Sequence, residues 1–340
     1  MVIIGIAANR GCEIIGPMNA RTSSMNRKDL VNAAARFGLI AALALIVIAQ
    51  LSARTVWAEP APSSGDNQKT VTTNPLKPPA QGQIPVGFVI SEGAVIIDFC
   101  GPWEVFRDVM VSGGDHPFCL YTVSDKTDPI HAGGGMKVVP DYSFANAPAP
   151  KVIVIPAQSE PSAAMLKWIR NSSKNTDVTM SVCTGAFVLA KTGLLSGKTA
   201  TTFHAAFNSF AMEFPDIHLK RGARFVEDGN LASAGGLSSG IDLALRVVER
   251  YYGRDVAQKT AYTLEYQGQG WMNADSNQIY ATRPVSTAKH PLCPVCGMDV
   301  DVATAPKSVY KGTTYYFCSD DDKKTFDSAP DKFADATLRR

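Results

Sequence analysis

A cysteine between a predicted strand and a predicted helix is the first feature able to do chemistry. Val178–Val182 is a short apolar run that suits a buried strand, and Cys183 follows it directly. Thr184 and Gly185 then lead into Ala186–Leu195, whose apolar spacing predicts a helix. Such a strand–turn–helix unit is a nucleophile elbow, where the helix N-terminus favours a thiolate. We therefore expect a reactive thiol with a lowered pKa; the alternative is a buried core cysteine.

A second group of cysteines lies near the C-terminus. Cys293 and Cys296 are separated by two residues, and Cys318 follows a short aromatic run. This spacing is more typical of a metal site than of a disulfide framework.

Length and composition limit the classes of protein. The 340 residues allow more than one domain, and 45% apolar residues are enough for a core. The 33 basic and 31 acidic residues nearly balance, so charge gives no argument for binding nucleic acid or an anionic membrane surface.

The N-terminal region has the pattern of an export signal. Arg27, Lys28 and Arg36 precede the apolar run Phe37–Ala49, and Val56-Trp57-Ala58 supplies the small residues of a cleavage site. The run is short for a membrane span, which needs about 20 residues. We expect a cleaved signal and a periplasmic protein; the alternative is an uncleaved anchor in the inner membrane, facing the periplasm.

Composition and hydrophobic runs divide the chain into five parts. These are an N-terminal extension with the signal peptide (1–58), a disordered linker (59–83), a first domain (84–267), a second linker (268–289) and a small C-terminal domain (290–336). In the first domain strands alternate with helices, which predicts an α/β sandwich with a mostly parallel sheet. A helix is expected to open at Gly101-Pro102, and Cys183 is expected at the carboxyl end of a strand, where such folds bind ligands.

Five separated blocks in the first domain carry a family resemblance. They are Asp98 with Gly101–Phe106, Ser181–Ala186, Gly193–Thr202, Asp228–Asn230 with Ser233–Gly236, and Gly240–Leu245. In this order they resemble the ThiJ/PfpI superfamily, and are most similar to its isonitrile hydratase branch and to the amidotransferase-like sensor domain of AraC-type regulators. The resemblance implies a flavodoxin-like sandwich, a homodimer, and no cofactor in this domain.

The same resemblance implies roles for individual residues. Cys183 is the nucleophile, Asp98 its acid/base partner, and Thr184 a further active-site residue. A thiolate can add to an isonitrile or aldehyde carbon, and a nearby carboxyl group can return the proton and activate water. Backbone N–H groups at Thr184 and just after Pro156 can stabilise the developing negative charge. The alternative role for Asp98 is a helix N-cap.

Two departures from the family pattern leave the substrate open. Ala157 and Gln158 stand where many relatives have a Gly-Gly turn, and Phe203 stands where the superfamily often has a histidine, with His204 next. Ala157, Gln158 and His204 are the candidate substrate-binding residues. His204 either replaces the missing histidine or is a core residue with satisfied ring nitrogens.

The C-terminal part resembles a YHS domain, a small treble-clef-like unit found in metal-handling proteins. The resemblance rests on His290–Met298, Tyr310–Gly312, Tyr315–Ser319 and Lys324–Phe326. It implies that Asp322 occupies the last cysteine position of the family, so that Cys293, Cys296, Cys318 and Asp322 form a zinc or copper site. The alternative is a disulfide among the cysteines in a domain held by its aromatic core.

Three functions follow from these patterns. The first is an exported, cysteine-dependent enzyme of the hydratase or lyase type that acts on a small electrophilic molecule. The second is a non-catalytic ligand or redox sensor, or a heavy-metal-handling protein that uses the YHS domain. The third, an AraC-type DNA-binding regulator, is disfavoured by the export signal and because no helix-turn-helix follows. We therefore expect no nucleic-acid partner.

Overall fold

The computed structural model describes residues 74–112, 114, 116–282 and 291–334. The predicted signal segment and its cleavage site lie outside the described residues. Within the part of the chain that is described, no helix is both long enough and apolar enough to cross a bilayer.

A seven-stranded sheet forms the centre of the first domain. Its order is β10 (Phe225–Asp228), β11 (Leu231–Ala234), β7 (Val178–Val182), β6 (Val152–Ile155), β1 (Ile84–Val89), β2 (Phe118–Ser124) and β5 (Tyr142–Ser143). All neighbouring pairs are parallel except β10 and β11, which form an antiparallel hairpin. The predicted mostly parallel sheet is therefore confirmed.

Six helices cover the two faces of this sheet. They are α1 (Ile96–Arg107), α2 (Ala163–Ser172), α3 (Gly185–Lys191), α4 (Phe207–Glu213), α5 (Ser239–Tyr252) and α6 (Arg254–Thr263). Residues of α1, α5 and α6 join one hydrophobic core, and residues of α2, α3 and α4 join the other. Because both faces are covered, every residue of β6 and β7 is buried, and β6 (VIVI) is a continuous apolar run. Two short pairs, β3 (Ile130–His131) with β4 (Lys137–Val138) and β8 (Thr199–Ala200) with β9 (His218–Leu219), complete the domain.

The start of α1 differs from the prediction. The helix begins at Ile96, so Pro102 lies inside it rather than at its first position. The interpretation of Asp98 as an N-cap is wrong, because Val95 occupies that position and makes no side-chain cap. Proline favours a helix break, but tertiary packing outweighs this preference, because Pro102 is buried. Gly101 lets Ile241 of α5 approach α1 closely. A Cβ at position 101 would lie 2.9 Å from Ile241 Cγ1.

Part of the stretch predicted as the second linker packs against the first domain. It contains 3-10 turns at Gly270–Met272 and Gln278–Tyr280. The Trp271 side chain is buried, and its backbone N–H donates to Asp242 Oδ1 at 2.9 Å. This packing depends on Trp271 and on hydrogen bonds more than on a repeated apolar pattern, so hydrophobic periodicity does not predict it. Residues 283–290 lie outside the described part.

The C-terminal domain is a small α/β unit. It contains the antiparallel hairpin of β12 (Lys307–Tyr310) and β13 (Thr313–Tyr316), followed by α7 (Asp320–Ser328) and α8 (Pro330–Ala334). Its core consists of Cys293, Val295, Phe317, Phe326, Phe333 and Ala334.

Candidate functional site

Cys183 lies at a strained turn at the carboxyl end of β7. Its φ of 57° is in the left-handed region, which a side chain makes unfavourable. Contacts with two other segments hold this conformation. The Cys183 N–H donates to Gly235 O at 2.9 Å, and the Thr202 hydroxyl donates to Cys183 O at 2.9 Å. The predicted elbow geometry is therefore present.

Gly185 allows α3 to start immediately after the turn. A Cβ at this position would overlap the Ile155 carbonyl oxygen and would lie 2.8 Å from the Pro156 carbonyl carbon. The glycine thus lets the first turn of α3 pack against the end of β6, which brings Cys183 beside the segment that follows Pro156.

Asp98 is fully buried next to the thiol. Its Oδ2 accepts a hydrogen bond from the Ala157 N–H at 3.1 Å. Within the described residues Oδ1 has no hydrogen-bond partner of standard geometry, although the Cys183 thiol interacts with the carboxylate. Burial raises the pKa of Asp98 to about 6, and the Ala157 N–H and the thiol only partly oppose this shift.

The thiol of Cys183 is held in its protonated form. Burial, together with the charge of Asp98, raises the pKa of Cys183 to about 11. The backbone N–H groups of Thr184 and Leu237 and the Thr184 side chain oppose this shift but do not cancel it. The expectation of a lowered thiol pKa is therefore wrong. Desolvation and the adjacent carboxylate outweigh the N-terminus of a helix only seven residues long.

Cys183, Asp98 and Thr184 thus lie together, whereas the predicted substrate-binding residues do not all join them. The Ala157 N–H is already used by Asp98. The Gln158 side chain is held at both ends: its Oε1 accepts from Ser91 Oγ at 2.8 Å, and its Nε2 donates to Val89 O at 3.1 Å. Gln158 therefore fixes the loops after β1 and β6 to each other.

His204 lies at the surface, so its interpretation as a core residue is wrong. Among the described residues, its ring contacts are with Tyr280, stacked at 4.6 Å between centroids, and with Phe203, edge to face at 4.4 Å. Phe203 in turn packs against Gly236, where a Cβ would lie 2.5 Å from the ring. The phenyl ring thus fills the space that this glycine leaves.

Leu237 is a site residue that sequence reasoning missed. Its backbone N–H opposes the rise in the pKa of the Cys183 thiol, and its φ of 49° is left-handed. In the sequence, Leu237 is marked by its place immediately after the Gly235-Gly236 pair. This position does not indicate that the turn packs against the elbow at Cys183.

The four predicted metal ligands form a second site. One donor atom from each of Cys293, Cys296, Cys318 and Asp322 lies within 4.8 Å of the other three. Asp322 Oδ2 is 3.2 Å from the sulfurs of both Cys293 and Cys318, and the Cys296 and Cys318 sulfurs are 3.3 Å apart. A tetrahedral ion with Zn–S bonds of about 2.3 Å needs sulfurs about 3.8 Å apart, so small shifts would allow coordination.

Local structure explains why these four residues meet. Hydrogen bonds from Gly297 N–H to Cys293 O and from Cys293 N–H to Met298 O close a tight turn around the first two cysteines. Ser319 caps α7 by accepting from the Asp322 N–H at 3.1 Å, which places Asp322 in the first turn, beside Cys318. A hydrogen bond from Cys296 lowers the pKa of Cys293 and raises that of Cys296, so the thiols share protons that a cation could replace. The group could therefore hold a metal ion.

Comparison with known proteins identifies both domains. Residues 85–250 match the DJ-1/PfpI family, and residues 293–337 match the YHS domain. The chain is 32% identical over 189 residues to a protein of Pseudomonas putida named isonitrile hydratase, covering 53% of this chain and 78% of that protein. It is also 28% identical over 176 residues to the HTH-type transcriptional regulator CdhR of Pseudomonas aeruginosa, covering 50% of this chain and 51% of the regulator.

The likeness extends to solved structures. A THiJ/PfpI family protein from Pseudomonas syringae superposes with a TM-score of 0.50 at 22% identity, over 62% of this chain and 84% of that chain. This likeness supports the fold alone. The sequence matches show that the chain belongs to the DJ-1/PfpI family and carries a YHS domain in its C-terminal part.

Proposed function

We propose that the chain hydrates a small, uncharged electrophile of the isonitrile class, with Cys183 as nucleophile and Asp98 as acid and base. The observation that carries this proposal is the pairing of a buried carboxylate with a protonated thiol at a left-handed turn. The relative named isonitrile hydratase supports the reaction class.

The first half of the reaction is the addition of the thiol to the substrate. At neutral pH Asp98 is mostly ionised, because its pKa is about 6, while the pKa of Cys183 is about 11. Asp98 therefore accepts the thiol proton as the sulfur bonds to the isonitrile carbon, and then returns this proton to the same carbon. The product is a thioimidate, R–N=CH–S–Cys183.

The second half is hydrolysis of the thioimidate. Asp98, ionised again, takes a proton from water as the water oxygen bonds to the carbon, and then passes this proton to the nitrogen. The carbon–sulfur bond of the resulting intermediate then breaks, which releases the formamide R–NH–CHO, and Asp98 transfers the hydroxyl proton of this intermediate to the departing sulfur, which restores the thiol. The sum is the addition of one water to one isonitrile, with no redox change. The N–H of Thr184 lies beside the sulfur and stabilises negative charge there.

The test is turnover of a panel of isonitriles, with dicarbonyl compounds for comparison, by the purified mature chain. Formamide formation is followed by NMR. Cys183→Ala and Asp98→Asn are expected to lose turnover. Cys100→Ala is the matched control, since Cys100 lies on the same helix as Asp98 but is not part of the pair. Turnover by the wild type that is no greater than by Cys183→Ala on every compound would contradict the proposal.

A second proposal concerns the YHS domain, which we infer to be a metal-handling unit for zinc or copper(I). Three thiolates and one carboxylate suit a soft or borderline ion, and the cluster described above supports this ligand set. When bound, the ion would supply local folding energy to the small domain. Elemental analysis of the wild type and of a variant with Cys293, Cys296 and Cys318 replaced by alanine tests the proposal, and equal metal content in both proteins would contradict it.

Export, periplasmic location and homodimerisation are further parts of the proposed function. The basic, apolar and small-residue pattern before residue 59 supports export. N-terminal sequencing after cell fractionation tests this: a mature start near Glu59 in the periplasm is expected, an intact N-terminus in the membrane fraction indicates an anchor, and a cytoplasmic protein contradicts export. Light scattering on the purified chain tests for the homodimer.

A further inference from the structure

A cavity of about 620 Å³ lies between the first domain and the cysteine cluster of the C-terminal domain. Its walls come mainly from residues 203–208 of the first domain, from residues 279–282 after it, and from the turn at residues 296–299. Of the four cluster residues, all of which the structure describes, Cys296 alone lines this cavity. The cavity therefore offers an ion a path from the surface to one thiol of the cluster.

Met298 is held in the wall of this cavity, next to the cluster. The Cys293 N–H donates to Met298 O at 2.8 Å, which ties the backbone of Met298 to the first cluster cysteine. Its side chain lines the cavity and is 43% exposed, so the sulfur can be reached from solvent. A thioether is a soft ligand that suits copper(I), whereas zinc sites in proteins use thiolate, imidazole and carboxylate ligands.

His204 supplies a nitrogen donor from the other wall. Its ring stacks on Tyr280 at 4.6 Å between centroids, and both residues line the cavity. Within the described residues neither ring nitrogen of His204 has a hydrogen-bond partner, since its contacts are with the rings of Tyr280 and Phe203. Partial burial lowers the pKa of His204, so the imidazole is neutral at pH 7 and can bind a metal ion.

The charges around the cavity do not favour a hard cation. Arg221 and Asp299 line it, one of each sign. The Arg221 guanidinium lies over the Phe207 ring at 5.2 Å and donates to Asn208 Oδ1 at 2.9 Å. Calcium and magnesium bind through several oxygen ligands, and a single carboxylate beside an arginine does not provide such a set. The sulfur and nitrogen donors of this cavity suit a soft, monovalent ion instead.

We propose that Met298 and His204 form an entry site for copper(I), from which the ion passes to Cys296 and into the cluster. Copper stays monovalent throughout. Its bonds to the thioether and the imidazole break as bonds to the cluster sulfurs form, and each thiol that coordinates the ion releases its proton to water. This inference rests on the proposed metal-handling function, selects copper(I) as the ion, and gives the first domain a part in loading the YHS domain.

The test is the rate of copper(I) uptake by the full mature chain, freed of metal and kept anaerobic with a reductant. The probe is the coloured copper(I)–bicinchoninate complex, whose absorbance falls as the protein takes the ion. Rates are measured by stopped flow, at protein concentrations where they still rise with protein.

Two variants each remove one donor atom or ring. Met298→Leu keeps the side-chain volume and removes the sulfur, so uptake is expected to slow about tenfold. His204→Phe keeps a ring on Tyr280 and removes the nitrogens, and is expected to slow uptake about threefold or more. The equilibrium affinity for copper(I) is expected to stay within about threefold of the wild type in both, because the four cluster ligands remain.

Two controls separate entry from a general effect of substitution. Met212→Leu is the matched variant, because Met212 is 47% exposed on α4 and does not line the cavity. Its copper(I) uptake is expected to equal that of the wild type. Zinc uptake from a chromogenic chelator is expected to stay within about twofold of the wild type in Met298→Leu, because a thioether is a poor zinc ligand.

The outcomes separate this inference from the metal-handling function. Slower copper(I) uptake with unchanged affinity and unchanged zinc uptake supports the entry site. Equal copper(I) rates in the wild type, Met298→Leu and His204→Phe overturn it, as does an equal slowing of zinc uptake in Met298→Leu. A loss of affinity as large as the loss of rate also overturns it, because Met298 would then be a resident ligand. If Met298→Leu does not fold, His204→Phe still decides. A wild type that takes up neither ion contradicts the metal-handling function itself.

Discussion

In the part of the chain that the structure describes, an aspartate lies beside cysteine sulfur at two places, with different consequences. At the elbow, Asp98 is fully buried and faces one thiol, and the pKa values of both groups are raised. In the C-terminal domain, Asp322 is half-buried and contacts two of three clustered thiols. One thiol and one carboxylate can exchange a single proton, whereas three thiols and a carboxylate offer a complete tetrahedral ligand set.

The difference shows that the surroundings, more than the residue types, decide between proton transfer and cation binding. At the elbow, one backbone N–H hydrogen bond to Asp98 leaves most of the desolvation cost in place, so the carboxyl pKa stays raised to about 6 and the group can accept and return a proton near neutral pH. At the cluster, thiols that hydrogen-bond to one another can give up their protons to a metal ion.

The largest expected effect is that turnover and metal binding can each be abolished without the other. Cys183→Ala removes the nucleophile and is expected to lower turnover at least about a thousandfold, with bound metal unchanged. Cys318→Ala is expected to lower metal content and leave turnover within about twofold. Turnover assays and elemental analysis on the same preparations check both. Loss of turnover in Cys318→Ala would show that the two sites are coupled.

The next largest effect concerns Asp98, whose replacement is expected to lower turnover and to raise the free energy of unfolding. Asp98→Asn is expected to lower turnover about 10²–10⁴-fold, because an amide accepts no proton. The folded state raises the carboxyl pKa from 3.8 to about 6, so burial of the charge destabilises the wild type above pH 6 and not below about pH 4.

The asparagine variant is therefore expected to be more stable than the wild type at pH 7, by up to about 3 kcal/mol, and about equal to it at pH 4. Urea unfolding at both pH values measures this. A variant that is less stable at pH 7 would indicate that Asp98 is a structural residue.

The pH dependence of turnover is expected to follow the same carboxyl group. Asp98 must be ionised to accept the thiol proton, so kcat/KM should rise about tenfold per pH unit below pH 6 and level off above it. The Cys100→Ala protein should give the same curve. A profile that is flat between pH 5 and 7 would contradict the assignment of Asp98 as the base.

A smaller effect tests the second aspartate. Asp322→Ala removes one donor and is expected to weaken metal binding at least about tenfold, as measured by competition with a chromogenic chelator. Asp321→Ala is the matched control, because Asp321 lies in the same helical turn but is exposed and pairs with Lys324. Equal affinities in the two variants would remove Asp322 from the ligand set.

Much of this arrangement could be predicted, because it follows from local patterns. The predicted strand Val178–Val182 has the bounds of β7, and the cysteines whose spacing is typical of a metal site lie together in the structure. These features depend on strand periodicity and on residues close in sequence.

The features that could not be predicted depend on contacts between distant segments. Pro102 lies inside α1 because α5 packs on that helix, and the Ala157 N–H is occupied because Asp98 reaches it. The thiol pKa rises because burial and a carboxylate from another element outweigh the short helix behind it. The effect of Leu237 on the thiol could not be predicted either, because this residue is 54 positions beyond Cys183 in the sequence.

The most direct test of the central claim, that Cys183 and Asp98 share one proton, is the pH dependence of Cys183 alkylation in the wild type and in Asp98→Asn. Because the aspartate charge raises the thiol pKa, its removal should move the rise in alkylation rate to lower pH and make the variant faster than the wild type at pH 8. Superimposable pH profiles for the two proteins would contradict the account.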